Sequence, residues 1–413
     1  MAKIESLFEQ FLDSVSLFKN KRVLQSNYTP QVLVHREEEI SQIAKTLAPS
    51  LRGDKPSNLF IYGKTGTGKT VSVKCVLNSM RQIASQRNCS VKTVYVNCKL
   101  KKIADTEYRL VAEITRELLK AAGKDKEAKE IPSTGLPTEE IYKMFHAVVD
   151  EQSQVVILVL DEIDQLVQKT GDEILYNLTR LNSELEKAQV TLVGISNDVV
   201  FTETLDPRVK SSLSEEEMIF PPYNAIQLQR ILSERAKEAF NGNVISDGVL
   251  EKCAAYAARE HGDARRALEL LRVAGEVAER ENASSLSLSH LDIAEEKIER
   301  DRMVDIVAAQ PRQFQVALFV IFKMYMRREE VLFTGEVYEQ YRTLCSQIHL
   351  RPLTQRRISD IIQEMDMMGI IAAKIISKGR YGRTREIHVS LPQSLIENIF
   401  KVLIDKASLE VEL

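Results

Sequence analysis

Along the first two hundred residues, short apolar runs recur between longer segments whose apolar positions repeat with helical spacing. Asn58 to Tyr62, Val91 to Asn97, Val155 to Leu160 and Thr191 to Ile195 are rich in β-branched and aromatic residues, and helix-length stretches such as Lys69 to Arg87 separate them. That alternation predicts a parallel α/β sheet. From Ile226 to about Arg300 the strands stop. Leu228, Ile231, Leu232 and Ala236, then Ala264, Ala267, Leu268 and Leu271, keep three- and four-residue spacing, so a small all-helical domain is expected. Pro221-Pro222 before it and Pro311 after it are expected hinges, because proline restricts the residue that precedes it. Beyond Pro311 come three helical segments, an apolar stretch from Ile370 to Ile376, a glycine-rich basic turn and a second strand, Arg385 to Val389. Three helices and a hairpin predict a winged helix. The expected domains are therefore 1–222, 223–305 and 306–413.

Composition narrows the class. A chain of 413 residues is too long for one compact core. Its 44% hydrophobic and 28% charged residues are an ordinary globular mixture, which excludes disordered and fibrous classes. The longest apolar run, Val316 to Phe322, is far shorter than a bilayer span, and the N-terminus is polar where a signal peptide would be apolar. An intracellular, cytoplasmic protein with no membrane partner is expected. Cys75, Cys89, Cys98, Cys253 and Cys345 are odd in number and scattered without a CxxC pair, which argues for reduced thiols over disulfides or zinc. Lys120 to Glu130 is charge-rich and is expected as a solvated loop or helix end.

Charge redirects the argument. The net charge is −3, yet from Pro311 to Leu413 fifteen Lys and Arg face twelve Asp and Glu, leaving this tail at +3 and the rest at −6. Five basic residues fall between Lys374 and Arg385 without one acid, a block suited to phosphates.

Gly63-Lys64-Thr65-Gly66-Thr67-Gly68-Lys69-Thr70 fits GxxxxGK[ST] between a strand and a helix, the context a phosphate-binding loop requires. Glycines let backbone N–H groups approach a β-phosphate, Lys69 neutralises β/γ oxygens, and the Thr70 hydroxyl suits magnesium. The apolar strand Val155 to Leu160 ends in Asp161-Glu162-Ile163-Asp164. Asp161 is expected to hold Mg²⁺, with Thr70, and Glu162 to orient or activate the attacking water. Asp164 is expected as a helix N-cap or a solvated acid. The implied cofactors are ATP or ADP and Mg²⁺.

Further positions resemble AAA+ ATPases. Asn197, after Gly194-Ile195-Ser196, resembles the sensor 1 residue, although a turn Asn after a strand fits equally. Gly262-Asp263-Ala264-Arg265 resembles the sensor 2 motif, which implies that Arg265 reaches from the lid to the γ-phosphate, with Arg266 a solvated neighbour. Leu205 to Ser212 resembles the arginine-finger segment, with Arg208 the candidate finger toward a neighbouring subunit; an ordinary surface charge is the alternative. Tyr28 to Glu37 resembles the segment that covers the adenine base, with Val32 and Leu33 packing on the purine, or a strap on the core; Tyr223, just past the proline pair, joins these nucleotide contacts.

Together these segments resemble the archaeal replication-initiator family related to the eukaryotic origin recognition complex and its helicase-loading partner, over nearly the whole chain. Gly135 to Tyr142 looks like the additional helical insertion of the initiator clade, which touches DNA in family members, and Pro137 independently marks a helix start. The helix Thr354 to Met368, with Gln355, Arg356 and Arg357 near its start, stands where a recognition helix would, and Lys378, Arg380, Tyr381, Arg383 and Arg385 make the wing. The resemblance implies binding of double-stranded origin DNA, recruitment of the replicative helicase, association with other initiator subunits, a weak ATPase that acts as a conformational switch, and a nucleoid-associated location. Two other readings are a signalling ATPase and a clamp-loader-like remodeller, in which the winged helix serves protein contacts or DNA structure. The absence of sensor or repeat domains weighs against the first, the insertion and basic wing against the second.

Overall fold

The computed structural model describes residues 16–26, 28–30, 33–99, 105–213, 215–328, 331–377, 383–389 and 391–407. They divide into two compact units, Met1–Leu291 and Asp292–Leu413.

In the first unit, β1 (Asn58–Tyr62), β2 (Val91–Asn97), β3 (Val155–Asp161), β4 (Gln189–Ser196) and β5 (Glu215–Ile219) form one sheet in the order β2-β3-β4-β1-β5, every neighbouring pair parallel. Parallel neighbours require crossovers, and the helix-length stretches supply them. After α1 (Glu37–Leu47), which precedes β1, they are α2 (Lys69–Arg87), α3 (Glu107–Ala121), α4 (Asp125–Glu130), α5 (Thr138–Val149), α6 (Ile163–Thr170), α7 (Glu173–Arg180) and α8 (Pro207–Leu213). All of β1 and β3 is buried, as apolar strands covered on both faces must be. One strand was not expected: β5 reads Glu-Glu-Glu-Met-Ile and looks solvated. It lies at the sheet edge, where backbone pairing with β1 needs only Met218 and the following Phe220 to face the core while Glu216 and Glu217 stay exposed. The charge-rich 120–130 segment proves to be the end of α3 and the short helix α4, whose Ala128 is buried.

Register places the chemistry. Tyr62 pairs with Ser196 and Asp161 with Ile195, so the residues that follow β1, β3 and β4 emerge together at the carboxyl edge of the sheet, where α/β folds bind ligands.

The expected helical domain is α9 (Ala225–Ala239), α10 (Val249–Arg259) and α11 (Ala264–Arg280). Asn224 and Gln227 close a reciprocal capping box at the start of α9, and Asp263 caps α11 through the Arg265 and Arg266 amides. An N-terminal strap packs against these helices: Phe18 stacks on Phe240 at 4.6 Å, and Leu17 accepts from the Asn241 amide.

In the second unit, α12 (Leu288–Ala309), which begins before the boundary, is followed by α13 (Arg312–Arg328), β6 (Leu332–Phe333), α14 (Thr334–Gln347), α15 (Gln355–Met367), the hairpin β7 (Ala372–Ser377) and β8 (Arg383–His388), and α16 (Gln393–Ala407). The run Val316 to Phe322 is entirely buried, which explains its length. The pattern had indicated three helices and a hairpin; β6, which pairs with β8, and α16, whose Phe400 stacks on Phe319 at 4.6 Å, are additions. Three of the five cysteines, Cys98, Cys253 and Cys345, are buried, and all five are free. Among the described residues no helix is long and apolar enough to cross a membrane.

Candidate functional site

The loop from Gly63 to Thr70 joins β1 to α2. Gly68 takes a left-handed conformation (φ 92°) as it caps α2, and a Cβ there would stand 2.6 Å from the Tyr223 hydroxyl. Gly66 (φ 75°) lies under Asp263, whose carboxylate oxygen would be 1.7 Å from an added Cβ. The Lys69 side chain turns back inside the loop. Its ammonium donates to the carbonyls of Gly63 (2.6 Å) and Lys64 (2.8 Å) and to Asn197 Oδ1 (3.0 Å). Burial lowers its pKa to about 8, with Asp161 opposing and Arg265 adding to the fall.

At the end of β3, Asp161 is buried and crowded with donors. Thr70 Oγ1 donates to its Oδ2 at 2.9 Å, the Tyr95 hydroxyl to the same oxygen at 2.5 Å, and the Glu162 amide to Oδ1 at 3.0 Å. Burial pushes the Tyr95 phenol well above its usual pKa, and the adjoining Asp161 carboxylate adds to the rise. Glu162 is left-handed (φ 57°), an unusual conformation for a residue with a Cβ, and its carboxylate lies 3.7 Å from Lys99 Nζ. Asp164 corrects the expectation: Glu162 occupies the cap position, and Asp164 is buried, accepting from Ser196 Oγ (3.2 Å) and the Asn197 amide (3.4 Å). It fixes the end of β4, and with it Asn197, against the end of β3.

A cavity of about 240 Å³ joins these groups to the lid. Gly66 to Thr70, Asp161, Glu162 and Asn197 line it from the sheet, and Arg265 and Leu268 from α11. Leu33 and Tyr223 line it too, as expected, together with Tyr28, Ile231, Arg235 and Glu238. Gly63, Lys64 and Thr65 do not; the first two instead supply carbonyls to Lys69. Val32 lies outside the described residues. Arg266 is no solvated neighbour: its side chain is 12% exposed and ion-paired with Glu260 at 3.1 Å. Arg208 lines no part of the cavity; its side chain is 84% exposed and paired with Asp206 at 3.2 Å.

In the second unit, Thr354 caps α15, and Ile358, Ile361, Ile362 and Met365 bury one face of it. Gln355, Arg356 and Arg357 are exposed at its start. Arg385 donates to the Ser359 carbonyl (3.2 Å) and to Gln363 Oε1 (2.9 Å), tying β8 to α15. Lys378, Arg380 and Tyr381, and the side chain of Arg383, lie outside the described residues.

Comparison with known proteins gives the family. Residues 52–198 match the AAA domain, 229–296 the Cdc6 AAA+ ATPase-type lid domain, and 305–399 the CDC6 C-terminal winged helix domain. An ORC1-type DNA replication protein of Thermococcus onnurineus is 51% identical over 96% of this chain and 94% of its own length. This chain belongs to the ORC1-type DNA replication proteins. One from Methanosarcina acetivorans is 48% identical over 97% of this chain and 94% of its own. The solved Orc1 protein of Aeropyrum pernix, in complex with DNA, superposes with a TM-score of 0.75 at 43% identity, covering 94% of this chain and 97% of its own.

As an ORC1-type protein the chain is an AAA+ ATPase that binds nucleotide, with the α/β, lid and winged-helix architecture expected of it. Some polar contacts in and beside the site have no signal in the local sequence. Tyr95 sits mid-strand and shows nothing to distinguish it from a core aromatic. Tyr28 hydrogen-bonds Glu238 at 3.0 Å, with the Arg235 guanidinium 4.8 Å from its ring; the partners are about two hundred residues away in sequence, which no local pattern signals.

Proposed function

We propose that this ORC1-type protein is a replication initiator whose nucleotide state governs its grip on duplex origin DNA and the recruitment of the replicative helicase and fellow initiator subunits. One observation supports the switch most directly: a single cavity is lined by the phosphate loop, the ends of β3 and β4, and Arg265 of the lid. A ligand that fills it touches both domains and favours the arrangement in which both contacts are made.

The roles follow from position. The backbone of Gly66 to Thr70 and the Lys69 ammonium hold the phosphates; Lys64 and Thr65, with Gly63, shape the turn. Leu33, Val32 and Tyr223 enclose the base end. Glu162 activates water, Asn197 positions it, and Arg265 reads the γ-phosphate. Thr70 Oγ1 and Asp161, 2.9 Å apart, are hard oxygen donors that fit Mg²⁺, which when bound neutralises phosphate charge. Exposed Arg208 acts on a neighbouring subunit's nucleotide. With a catalytic group supplied in trans, the isolated chain is a weak ATPase. Domain limits at 1–222, 223–305 and 306–413 place the lid between the two proline hinges.

For DNA, Gln355, Arg356 and Arg357 enter a major groove and the wing residues Lys378, Arg380, Tyr381 and Arg383 meet the minor groove. The segment from Gly135 to Tyr142, exposed as far as Glu140 and running into the start of α5, is a second contact. The test is fluorescence anisotropy with labelled origin and scrambled duplexes at fixed salt, with ATP and with ADP. Selective binding that differs between nucleotides and weakens in Arg356→Ala supports the reading. Equal, negligible binding to both duplexes would return the winged helix to protein contacts.

A further inference from the structure

Arg36 precedes Glu37-Glu38-Glu39 at the start of α1 and is 2% exposed. A guanidinium tolerates such burial only where acceptors replace its water. Here each nitrogen finds one. Nε donates to the Thr67 carbonyl at 2.9 Å, Nη1 to Glu39 at 2.8 Å and to the His35 carbonyl at 3.3 Å, and Nη2 to the Pro221 carbonyl at 2.5 Å. The guanidinium carbon also lies 4.0 Å from the centroid of the Tyr223 ring and 5.4 Å from that of Phe220. Two distant segments therefore end on one planar group at the start of α1: the phosphate loop and the hinge that leads into α9.

Close approaches continue the path into the lid. The Tyr223 hydroxyl leaves Gly68 no room for a Cβ, and a Cβ on Gly262 would fall 2.3 Å from the Tyr223 carbonyl oxygen. Gly262 leads to Asp263, which overlies Gly66, and the Ala264 amide donates to the Gly66 carbonyl at 3.2 Å. Lid and hinge thus press on Gly66 and Gly68, while Arg36 holds Thr67 between them.

We propose that Arg36 is a positioning residue that couples occupancy of the phosphate loop to the conformation of the lid hinge. It grips the carbonyls of Thr67 and Pro221 in one rigid plane, so a shift of the loop on phosphate binding passes to Tyr223 and into α9. Lysine cannot replace it, because a point charge on a flexible stem neither spans these acceptors together nor stacks as a plane. The inference rests on the nucleotide-switch reading and deepens it.

Hydrogen–deuterium exchange of the full-length protein, with and without saturating ADP, tests it. In the wild type ADP is expected to slow exchange at the amides of Gly66–Thr70 and also at Tyr223–Leu228. In Arg36→Lys the loop should still be protected, while ADP-induced protection of Tyr223–Leu228 falls by about tenfold or more. Phe220 lines no part of the cavity; Phe220→Leu, which removes its ring 5.4 Å from the guanidinium, should also weaken the hinge response, and it carries the test if the arginine variant does not fold. Arg36 acting only as structural support would lower the melting temperature and leave both protections in place; hinge protection retained in the folded variants overturns the proposal. A wild type in which ADP protects nothing at Gly66–Thr70 would instead overturn the nucleotide-site reading.

Discussion

An ammonium withdrawn from water needs acceptors, and Lys69 finds two carbonyls and the Asn197 amide oxygen, with Asp161 close enough to oppose the loss only in part. Its pKa of about 8 lies below the ordinary 10.5, so between those values the unfolded chain binds the proton and the native one does not; this group's contribution to stability therefore rises with pH across that window. A bound polyphosphate reverses the shift by favouring the charged form. ADP affinity should be flat below pH 8 and fall above it by up to about tenfold per unit, with proton uptake on binding visible by calorimetry in two buffers near pH 8.5. Affinity constant from pH 7 to 10 would show that Lys69 meets no phosphate. Gly68 offers a second test. Ala there must adopt φ 92° and displace the Tyr223 hydroxyl, so Gly68→Ala should cost on the order of 1–3 kcal/mol in denaturant unfolding and weaken ADP binding. Unchanged stability would mean that Tyr223 swings aside freely.

The helix expected from Thr354 to Met368 is α15, and its Ile358, Ile361, Ile362 and Met365 supply the buried face that holds it. Three elements were missed: β5, α16 and β6, whose two residues make no pattern of their own. A strand of three glutamates carries no apolar signal because pairing through the backbone asks little of an edge strand's side chains; α16 lay beyond a hairpin that already completed a plausible winged helix. Along the same segments, charge misled. Arg385 sits among the basic residues of the wing, yet its guanidinium is committed to Ser359 and Gln363 on α15. The distinction is measurable through counterion release. Arg356→Ala, if Arg356 meets a phosphate, should reduce the slope of log K against log salt by about 0.9. Arg385→Ala should weaken DNA binding by loosening hairpin and helix while leaving the slope unchanged. A slope that falls equally in both variants would make Arg385 a phosphate contact after all.

Because the cavity belongs to the folded unit Met1–Leu291, ligand and fold are linked. ADP at a hundred times its Kd should add about 2.7 kcal/mol to the unfolding free energy of that unit, measured by denaturant titration, and Lys69→Ala should abolish the gain. A gain that survives in Lys69→Ala would place the ligand elsewhere. The molecule's class, its three kinds of domain and the loop and strand-end residues that line its cavity could be read from the chain, because strand alternation, helical periodicity and the glycine loop are patterns of near neighbours, and near neighbours are what sequence order records. The convergence of Asp164 on Ser196, of Tyr95 on Asp161, of Tyr28 on Glu238, and of Arg36 on Thr67 and Pro221 could not be read so. Each joins residues from separate segments, and whether a polar side chain is solvated or spent on a buried partner depends on which segments folding brings beside it. Arg36 falls in a stretch read as covering the base and Arg385 in a wing read as meeting DNA; packing alone made one a bridge between loop and hinge and the other a tie between wing and helix.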